Sequence, residues 1–434
     1  MPPLVANTER PLGFQQRRPA HPLNDETGPP VTPRTAHRIA GIAGIAVAAL
    51  IAAAGLGAAA APASAATADA CTRTLPAGAS SIPVPFGGAT YAVPVHVPAG
   101  ATGELPLVLD LHGSNANGTV QAQISGLAAV ADAEGFIVAN PSGAIGAPAF
   151  AQTLPDGNWG WNVPGVPLTS GTFPPDGSRD DVAFLTAVVE AIDAQGCVAE
   201  GSVFATGFSG GGRMASALAC SRADVFAAVA PVAGLRAGRA DPAALATIEA
   251  GSCAPTRPVA VLSFHGTADV VNPYPGNADP RWGYSVAAAA AGWAALDGCD
   301  ATPTSTTATA TATRIAFAGC AEGGAVEYYE LAGGGHTWPG TTVDLSALGA
   351  TDASVSASAL MWDFFEANAR TAAAEEPPVA SPAPSAPAAP PSAEQAPREL
   401  AATGPASVLA AISLAIGLAL IGASAVGAAR RRRA

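Results

Sequence analysis

The stretch VFATGFSGGGRMASALA, residues 203–219, places Ser209 among four glycines. An apolar run precedes it at residues 203–206, and residues 213–219 have the composition of a helix. The pattern G-x-S-x-G between a strand and a helix is the context of a nucleophile elbow, a tight turn that presents a reactive serine. Bulky neighbours would clash in such a turn. The stretch therefore predicts an α/β protein with a serine nucleophile, provided that a base and an acid lie elsewhere in the chain.

The rest of residues 71–370 alternates between strand and helix patterns. Short apolar runs predict strands at 105–111, 136–139, 203–206, 227–230, 259–264 and 325–331, and apolar residues at helical spacing predict helices at 118–133, 180–194, 284–296 and 354–369. Such alternation is typical of a mainly parallel sheet with helices on both faces. We therefore expect one α/β catalytic domain whose site lies at the carboxyl ends of the strands.

A serine hydroxyl needs a base, and the base needs an orienting acid. His336 follows three glycines just beyond a predicted strand, and Asp269 lies in the loop after the strand at 259–264. The chain order Ser209, Asp269, His336 is that of α/β-hydrolases. We expect His265 to structure its loop and His96, in a Val/Pro-rich segment, to be exposed.

Backbone N–H groups after the 105–111 strand can face the serine. His112-Gly113-Ser114 begins at the end of that strand. We expect the N–H groups of Ser114 and Gly210 to form the oxyanion hole, the electrostatic contribution that is often largest in acyl transfer.

Charge and composition exclude several other functions. The chain has no lysine, and residues 71–370 hold 10 Arg against 25 Asp and Glu, a formal charge of −15. An acidic domain does not bind nucleic acid by neutralising phosphates, and a chain without lysine has neither a Walker A loop nor Schiff-base chemistry. No C-x-x-C pair occurs, so we expect neither a zinc site nor thiol-redox chemistry. The predicted serine mechanism requires no metal, and we expect no cofactor.

Both ends of the chain carry export signals. Residues 39–65 are apolar, follow arginines and end in Ala-Ser-Ala, which predicts a signal peptide over residues 1–65, or an uncleaved membrane anchor. A Pro/Ala-rich linker fills 371–399. Residues 405–429 carry no charge, are long enough to span a bilayer, and precede four arginines that would hold this end in the cytoplasm.

LAATG at 400–404, the apolar helix and the basic tail of residues 400–434 resemble a sortase sorting signal of high-GC Gram-positive bacteria. The resemblance implies cleavage between Thr403 and Gly404, attachment to peptidoglycan, and only transient membrane contact through the helix. An ordinary C-terminal membrane anchor is the alternative.

Cysteine usage agrees with export. All six cysteines lie in residues 71–370, and an even number in an exported chain favours three disulfides. Cys299 and Cys320 flank one polar Thr/Ala segment and form the first predicted pair. By elimination we pair Cys220 with Cys253 and Cys71 with Cys197.

Five blocks of sequence between Leu105 and Gly340 resemble the secreted polyhydroxybutyrate depolymerase-type esterases, which include the feruloyl and acetylxylan esterases of carbohydrate esterase family 1. The blocks are PLVLDLHG, TGFSGGGRMASALAC, FAAVAPVAG, FHGTADVVNPYPG and GGGHTWPG. The resemblance implies an α/β-hydrolase fold and a triad at Ser209, Asp269 and His336. This chain has HGSNANG where many members carry Cys or Gln near the oxyanion strand.

These observations predict a wall-anchored serine esterase that acts on feruloyl or acetyl esters of plant polysaccharide, or on a poly(3-hydroxybutyrate)-type polyester. Trp338, two residues from the base, and Trp161 are the expected substrate contacts, although packing under a loop is an alternative for Trp161. Two other functions remain open. One is an inactive surface binding protein or adhesin on the same fold, and the other is a serine peptidase.

Overall fold

The computed structural model describes residues 72–148 and 153–370. Within them, fourteen strands run in chain order as β1 (Gly78–Phe86), β2 (Ala89–Val97), β3 (Leu105–Leu111), β4 (Ile137–Ala139), β5 (Ile145–Gly146), β6 (Trp159–Gly160), β7 (Val198–Phe208), β8 (Ala228–Val232), β9 (Ala240–Asp241), β10 (Ala244–Ile248), β11 (Ala260–Gly266), β12 (Thr304–Thr307), β13 (Ala312–Phe317) and β14 (Val326–Leu331). The helices are α1 (Gly118–Ser125), α2 (Leu127–Glu134), α3 (Asp181–Gly196), α4 (Gly210–Ser221), α5 (Val286–Leu296), α6 (Ala357–Ala367) and a 3₁₀ turn at Ser346–Leu348.

One ten-stranded sheet forms the centre, in the order β1-β2-β4-β3-β7-β8-β11-β14-β13-β12. The strands from β4 to β14 in this order are all parallel to their neighbours. The remaining pairings, towards both edges, are antiparallel. The predicted mainly parallel sheet is confirmed.

Residues of β3 show why helices cover both faces of this sheet. Leu107, Leu109 and Leu111 pack in one apolar core with residues of α3, α4 and α5. Val108 points the other way and packs in a second core with residues of α1, α2 and α6. Side chains alternate along a strand, so a strand with apolar residues on both faces must be covered on both sides. Each fully buried leucine contributes about 1.5–3 kcal/mol to stability.

The predicted helix at 118–133 is wrong in one respect, because two helices, α1 and α2, occupy this segment. Gly126 lies between them with φ 62° in the left-handed region, and its N–H donates to the carbonyl of Ala122. This is the usual way in which a glycine ends a helix. At the start of α1, the Asn117 side chain accepts from the N–H of Val120.

The antiparallel strands β1, β2, β12 and β13 were not predicted. The first two contain prolines, which argue against a strand inside a sheet, and β12 reads TSTT and is fully exposed. Placing β2 inside the sheet also corrects the expectation for His96. Its Nε2 lies 2.8 Å from an oxygen of Asp132 and its side chain is 18% exposed, so it is only partly exposed.

Disulfides join Cys220 to Cys253 and Cys299 to Cys320, as predicted. Cys197 is also disulfide-bonded, and its predicted partner Cys71 lies outside the described residues. The predicted signal peptide, linker and sorting signal lie outside them too. In residues 72–148 and 153–370, no helix has the length and apolar character needed to cross a membrane.

Candidate active site

Ser209 lies between the end of β7 and the start of α4. Its backbone has φ 55° and ψ −112°, a strained conformation for a residue with a side chain. Such strain costs on the order of 1–3 kcal/mol and persists only where the surroundings enforce it. Here the N–H of Ser209 donates to the carbonyl of Val232 (2.9 Å), and its carbonyl accepts from the N–H of Arg213 (3.0 Å). The structure therefore holds Ser209 in the predicted elbow.

The glycines around Ser209 allow the elbow to pack against the end of β3. A Cβ on Gly211 would lie 2.1 Å from the carbonyl oxygen of Leu111, and one on Gly207 would lie 2.7 Å from the same oxygen. A Cβ on Gly210 would lie 2.4 Å from the hydroxyl oxygen of Ser114. Glycine at these positions is thus a packing requirement, because the neighbouring backbone comes too close for a side chain.

We expect Gly211→Ala to lower the free energy of unfolding by about 2–4 kcal/mol, because the backbone of β3 and α4 must separate to admit the methyl group. Urea unfolding followed by circular dichroism measures the change. Gly146→Ala is the matched control, since a Cβ there meets nothing within 4 Å. Equal stability of the two variants would contradict the packing argument.

Asp269 and His336 meet at the carboxyl ends of β11 and β14. Nδ1 of His336 lies 2.7 Å from Oδ2 of Asp269. The other carboxylate oxygen accepts from the N–H groups of Val271 and Asn272, each at 2.8 Å. Burial by itself would raise the pKa of Asp269, but hydrogen bonds from His265 and His336 outweigh it and hold that pKa well below its usual value. Asp269 is therefore an ionised acceptor that orients His336.

His265 spans the loop that carries Asp269. Its Nε2 lies 2.8 Å from the carbonyl oxygen of Asn272 and 3.4 Å from Oδ2 of Asp269. The side chain thus links the two ends of this short loop, as the sequence analysis expected of a loop-structuring histidine.

Ser209 and His336 line one cavity of about 510 Å³. No direct hydrogen bond joins them among the described residues, and the ring of His336 packs 4.9 Å from that of Phe208. Catalytic hydrogen bonds are often long before substrate binds. Most of the remaining lining is apolar, with the side chains of Val120, Ile124, Leu154, Val271, Leu345 and Leu348. The cavity suits an apolar acyl chain or ring.

The two backbone N–H groups predicted as oxyanion donors lie close to Ser209. The position of a Cβ on Gly210 lies 3.1 Å from the backbone nitrogen of Ser114, so the loop after β3 touches the start of α4. Gly210 is the first residue of α4, where an N–H has no acceptor within the helix. Within the described residues, neither of these N–H groups donates to a protein acceptor. The arrangement can accept the oxygen of a tetrahedral intermediate.

A buried histidine holds the Ser114 loop. Nδ1–H of His112 donates to the carbonyl of Gly113 (2.8 Å), and its Nε2 accepts from the N–H of Gly143 (2.9 Å). The indole N–H of Trp161 donates to the carbonyl of His112 (2.8 Å), and the two rings are 4.7 Å apart. Burial lowers the pKa of His112 from its ordinary 6.5 to about 4, so this imidazole is neutral at pH 7.

We expect wild type to lose about 2 kcal/mol of stability relative to His112→Gln when the pH falls from 7 to 4.5. The unfolded state takes up a proton at His112 below about pH 6.5, whereas the folded state does so only near pH 4. Protonation between these two pH values therefore favours the unfolded state, so the stability of wild type above pH 6.5 is progressively lost as the pH falls. Asp110, with a pKa raised to about 7 by burial, makes the folded state more stable as the pH falls. This effect is the same in both proteins and does not change the difference between them. Urea unfolding at the two pH values measures the difference, and an equal gap at both would contradict it.

The structure does not place the two predicted substrate residues in the Ser209 cavity. Trp338 is 1% exposed, packs in the core with α6, and donates its indole N–H to Ser358 (3.1 Å). Trp161 packs under the Ser114 loop and borders a smaller neighbouring cavity of about 120 Å³. Packing was the alternative stated for Trp161. The tryptophan that lines the Ser209 cavity is Trp282, which no motif in the sequence singled out.

A search of the described residues finds no group of three or more His, Cys, Asp or Glu side chains that could hold a metal ion.

Comparisons with known proteins agree on an activity class. A family model described as "Esterase PHB depolymerase" matches residues 89–281. The esterase NocK of Nocardia uniformis subsp. tsuyamanensis is 31% identical over 304 residues, which cover 65% of this chain and 80% of that protein. Feruloyl esterase B of Piromyces equi is 31% identical over 250 residues, which cover 56% of this chain but only 42% of that protein.

Among solved structures, an acetyl xylan esterase from Aspergillus awamori is similar with a TM-score of 0.41 and 17% identity, over 60% of this chain and 94% of that chain.

Proposed function

Because this chain belongs to the esterase PHB depolymerase family and is a carboxylic ester hydrolase of the α/β-hydrolase fold, we propose that it cleaves its ester with Ser209, His336 and Asp269. One observation carries this proposal. Asp269 holds His336 by a 2.7 Å hydrogen bond, and His336 lines the same cavity as the strained Ser209.

In the first half-reaction, Oγ of Ser209 forms a bond to the ester carbonyl carbon while Nε2 of His336 takes the hydroxyl proton. Asp269 keeps the proton on Nδ1 and stabilises the imidazolium. The N–H groups of Ser114 and Gly210 bind the oxyanion. Collapse breaks the bond to the alcohol, which leaves with the proton from His336 and gives an acyl-enzyme on Ser209.

In the second half-reaction, His336 takes a proton from water, which attacks the acyl carbonyl. The bond to Ser209 breaks and its oxygen regains the proton from His336. The free acid then leaves. Every group that moves a proton in this scheme belongs to the chain itself, so the scheme requires no metal or cofactor.

For the substrate, we propose feruloyl or acetyl esters of plant polysaccharide first, and a polyester of the poly(3-hydroxybutyrate) type second. The named feruloyl esterase among the relatives supports the first class. The apolar lining of the cavity, with the ring of Trp282, suits an aromatic acid.

We further propose that the enzyme is secreted and anchored to the cell wall by sortase at Thr403. The signals at both ends of the chain support this location. The disulfide-bonded state of every described cysteine also supports an oxidising compartment. Release of the protein from cells by wall-degrading enzymes, but not by detergent, is the expected result.

The test of the reaction is acid release from methyl ferulate, acetylated xylan and amorphous poly(3-hydroxybutyrate), together with labelling by a fluorophosphonate. We expect labelling on Ser209 and turnover of at least one ester. A folded protein that hydrolyses no ester and resists the fluorophosphonate would overturn the proposed triad. Faster cleavage of an amide than of its matched ester would indicate a peptidase instead.

A further inference from the structure

One arginine in the Ser209 cavity forms no salt bridge among the described residues. Arg213 lies one helical turn after Ser209 in α4, is 6% exposed, and lines the cavity beside Ser209. Its guanidinium stacks over the ring of Trp282, 4.3 Å from the centroid. Its Nε is buried with no hydrogen-bond partner among the described residues, and one terminal nitrogen makes a long contact of 3.5 Å with the carbonyl of Arg281.

The charges around Arg213 are mostly positive. Arg236 is also 6% exposed and donates to the side chain of Asn272 (2.8 Å), a neutral amide. Arg281 pairs with Asp279. In the described part of the chain, neither Arg213 nor Arg236 forms a salt bridge. Burial first, and then the charges of Arg236 and Arg281, lower the pKa of Arg213 to about 9, against a smaller opposing effect of Asp279, whose carboxylate is paired with Arg281.

A buried guanidinium without a salt-bridge partner is costly, and one that lines a cavity is a candidate for binding an anionic ligand. Stacking on Trp282 does not satisfy it, because the N–H groups point outward in the plane of the guanidinium, away from the ring. That planar set of donors matches a carboxylate. This cluster holds three of the ten arginines in a domain with formal charge −15, so general basicity does not explain it.

We propose that Arg213 binds a carboxylate of the substrate, and that the enzyme prefers esters bearing an acid group close to the scissile bond. This inference rests on the proposed function and narrows its substrate class. One helical turn rises about 5.4 Å, so only a few bonds separate the carboxylate from the carbonyl that Ser209 attacks. The acid group belongs either to the acyl part, as in a dicarboxylic half-ester, or to the alcohol part, as in the ester of a hydroxy acid.

The test compares acids with their matched amides in two arms. The acyl arm uses the 4-nitrophenyl half-ester of adipic acid and the 4-nitrophenyl ester of adipamic acid. The alcohol arm uses 3-(butyryloxy)butanoate and 3-(butyryloxy)butanamide. We expect kcat/KM of wild type to favour the acid by about 10- to 100-fold in one arm, the range of a hydrogen bond to a charged group. That arm identifies the source of the carboxylate.

Variants assign the preference to Arg213. We expect Arg213→Gln to bring the acid-to-amide ratio close to 1, and Arg213→Lys to keep part of it, because lysine retains the charge but loses the planar fork. Arg314→Gln is the control and should keep the wild-type ratio, since Arg314 pairs with Glu327 on the edge of the sheet. Wild type without a preference in either arm, or a preference that survives Arg213→Gln, would overturn the inference.

Binding separates this inference from the proposed reaction. Ser209→Ala lacks the nucleophile, so calorimetry on that variant measures its affinity for the acid and the amide without turnover. Tighter binding of the acid by about 10-fold or more, in a protein whose wild type cleaves no ester, would support the Arg213 site and sink the proposed reaction. Turnover of neutral esters, together with equal binding of acid and amide, would support the proposed reaction and overturn the Arg213 site.

Discussion

Ser209→Ala is expected to lower kcat/KM for ester hydrolysis by about 10⁴-fold or more and to abolish fluorophosphonate labelling. The variant removes the proposed nucleophilic oxygen while the proposed oxyanion donors and the cavity remain. Stability should change little, because alanine keeps the same strained backbone and no hydrogen bond of the serine hydroxyl to the described protein is lost. Initial rates with 4-nitrophenyl butyrate and urea unfolding measure the two effects.

Ser221→Ala serves as the control for this experiment. Ser221 ends the same helix, is exposed, and bonds only to the carbonyl of Ala217 four residues earlier. It should keep wild-type activity. Residual activity of Ser209→Ala above about a hundredth of wild type would contradict a covalent mechanism at Ser209.

Asp269→Asn is expected to lower kcat by about 10⁴-fold with a much smaller change in KM. The carboxylate accepts hydrogen bonds from His336 Nδ1 and from the N–H groups of Val271 and Asn272. An amide in its place offers one acceptor oxygen and a donor, so the loop is held but His336 loses the partner that fixes its tautomer. Single-turnover kinetics with 4-nitrophenyl butyrate separate the chemical step from binding.

The pH dependence offers a second measurement on Asp269. Its pKa is held well below the usual value, so the stability that the ionised, hydrogen-bonded carboxylate contributes is present above about pH 4 and is lost only as the pH falls below that. Asp269→Asn should therefore be less stable than wild type at pH 7, and the gap should close in strong acid. Asp363→Asn, at an exposed position of α6, is the control for loss of one carboxylate. If Asp269→Asn kept more than a tenth of wild-type kcat, that result would contradict the orienting role of Asp269.

Local patterns predicted the parallel core and the groups that follow its strands. The runs LPLVLDL and VFAT are apolar at almost every position, a pattern typical of strands that are covered on both faces. Ser209, Asp269 and His336 follow the carboxyl ends of β7, β11 and β14. The antiparallel edges were missed because β1 and β2 carry prolines and β12 is polar. Propensity is a weak guide for such strands, since their partners decide the pairing.

The substrate side of the site was harder to predict. Trp338 lies two residues after the predicted base in sequence, but its side chain packs in the core and its indole N–H donates to Ser358. Trp282 and Arg213 line the cavity from segments 69 residues apart in the chain, and nothing local to either marks their stacking. Proximity along the chain therefore misidentified the aromatic contact. The burial of Arg213 without a salt bridge depends on the folded structure, and no local sequence pattern predicts it.

The distance along the chain between the proposed catalytic groups has a consequence for the order of folding. Asp269 and His336 are 67 residues apart, and β14 must cross over to lie parallel to β11 before their hydrogen bond can form. Long-range parallel pairing is slow because the intervening loop must be closed first. A refolding chain would hold the Ser209 elbow on β7 and α4 while its base was still undocked. The rate at which esterase activity returns would then report the rate at which β14 docks. A nascent chain that ends before residue 336 would carry Ser209 without the proposed base that activates it.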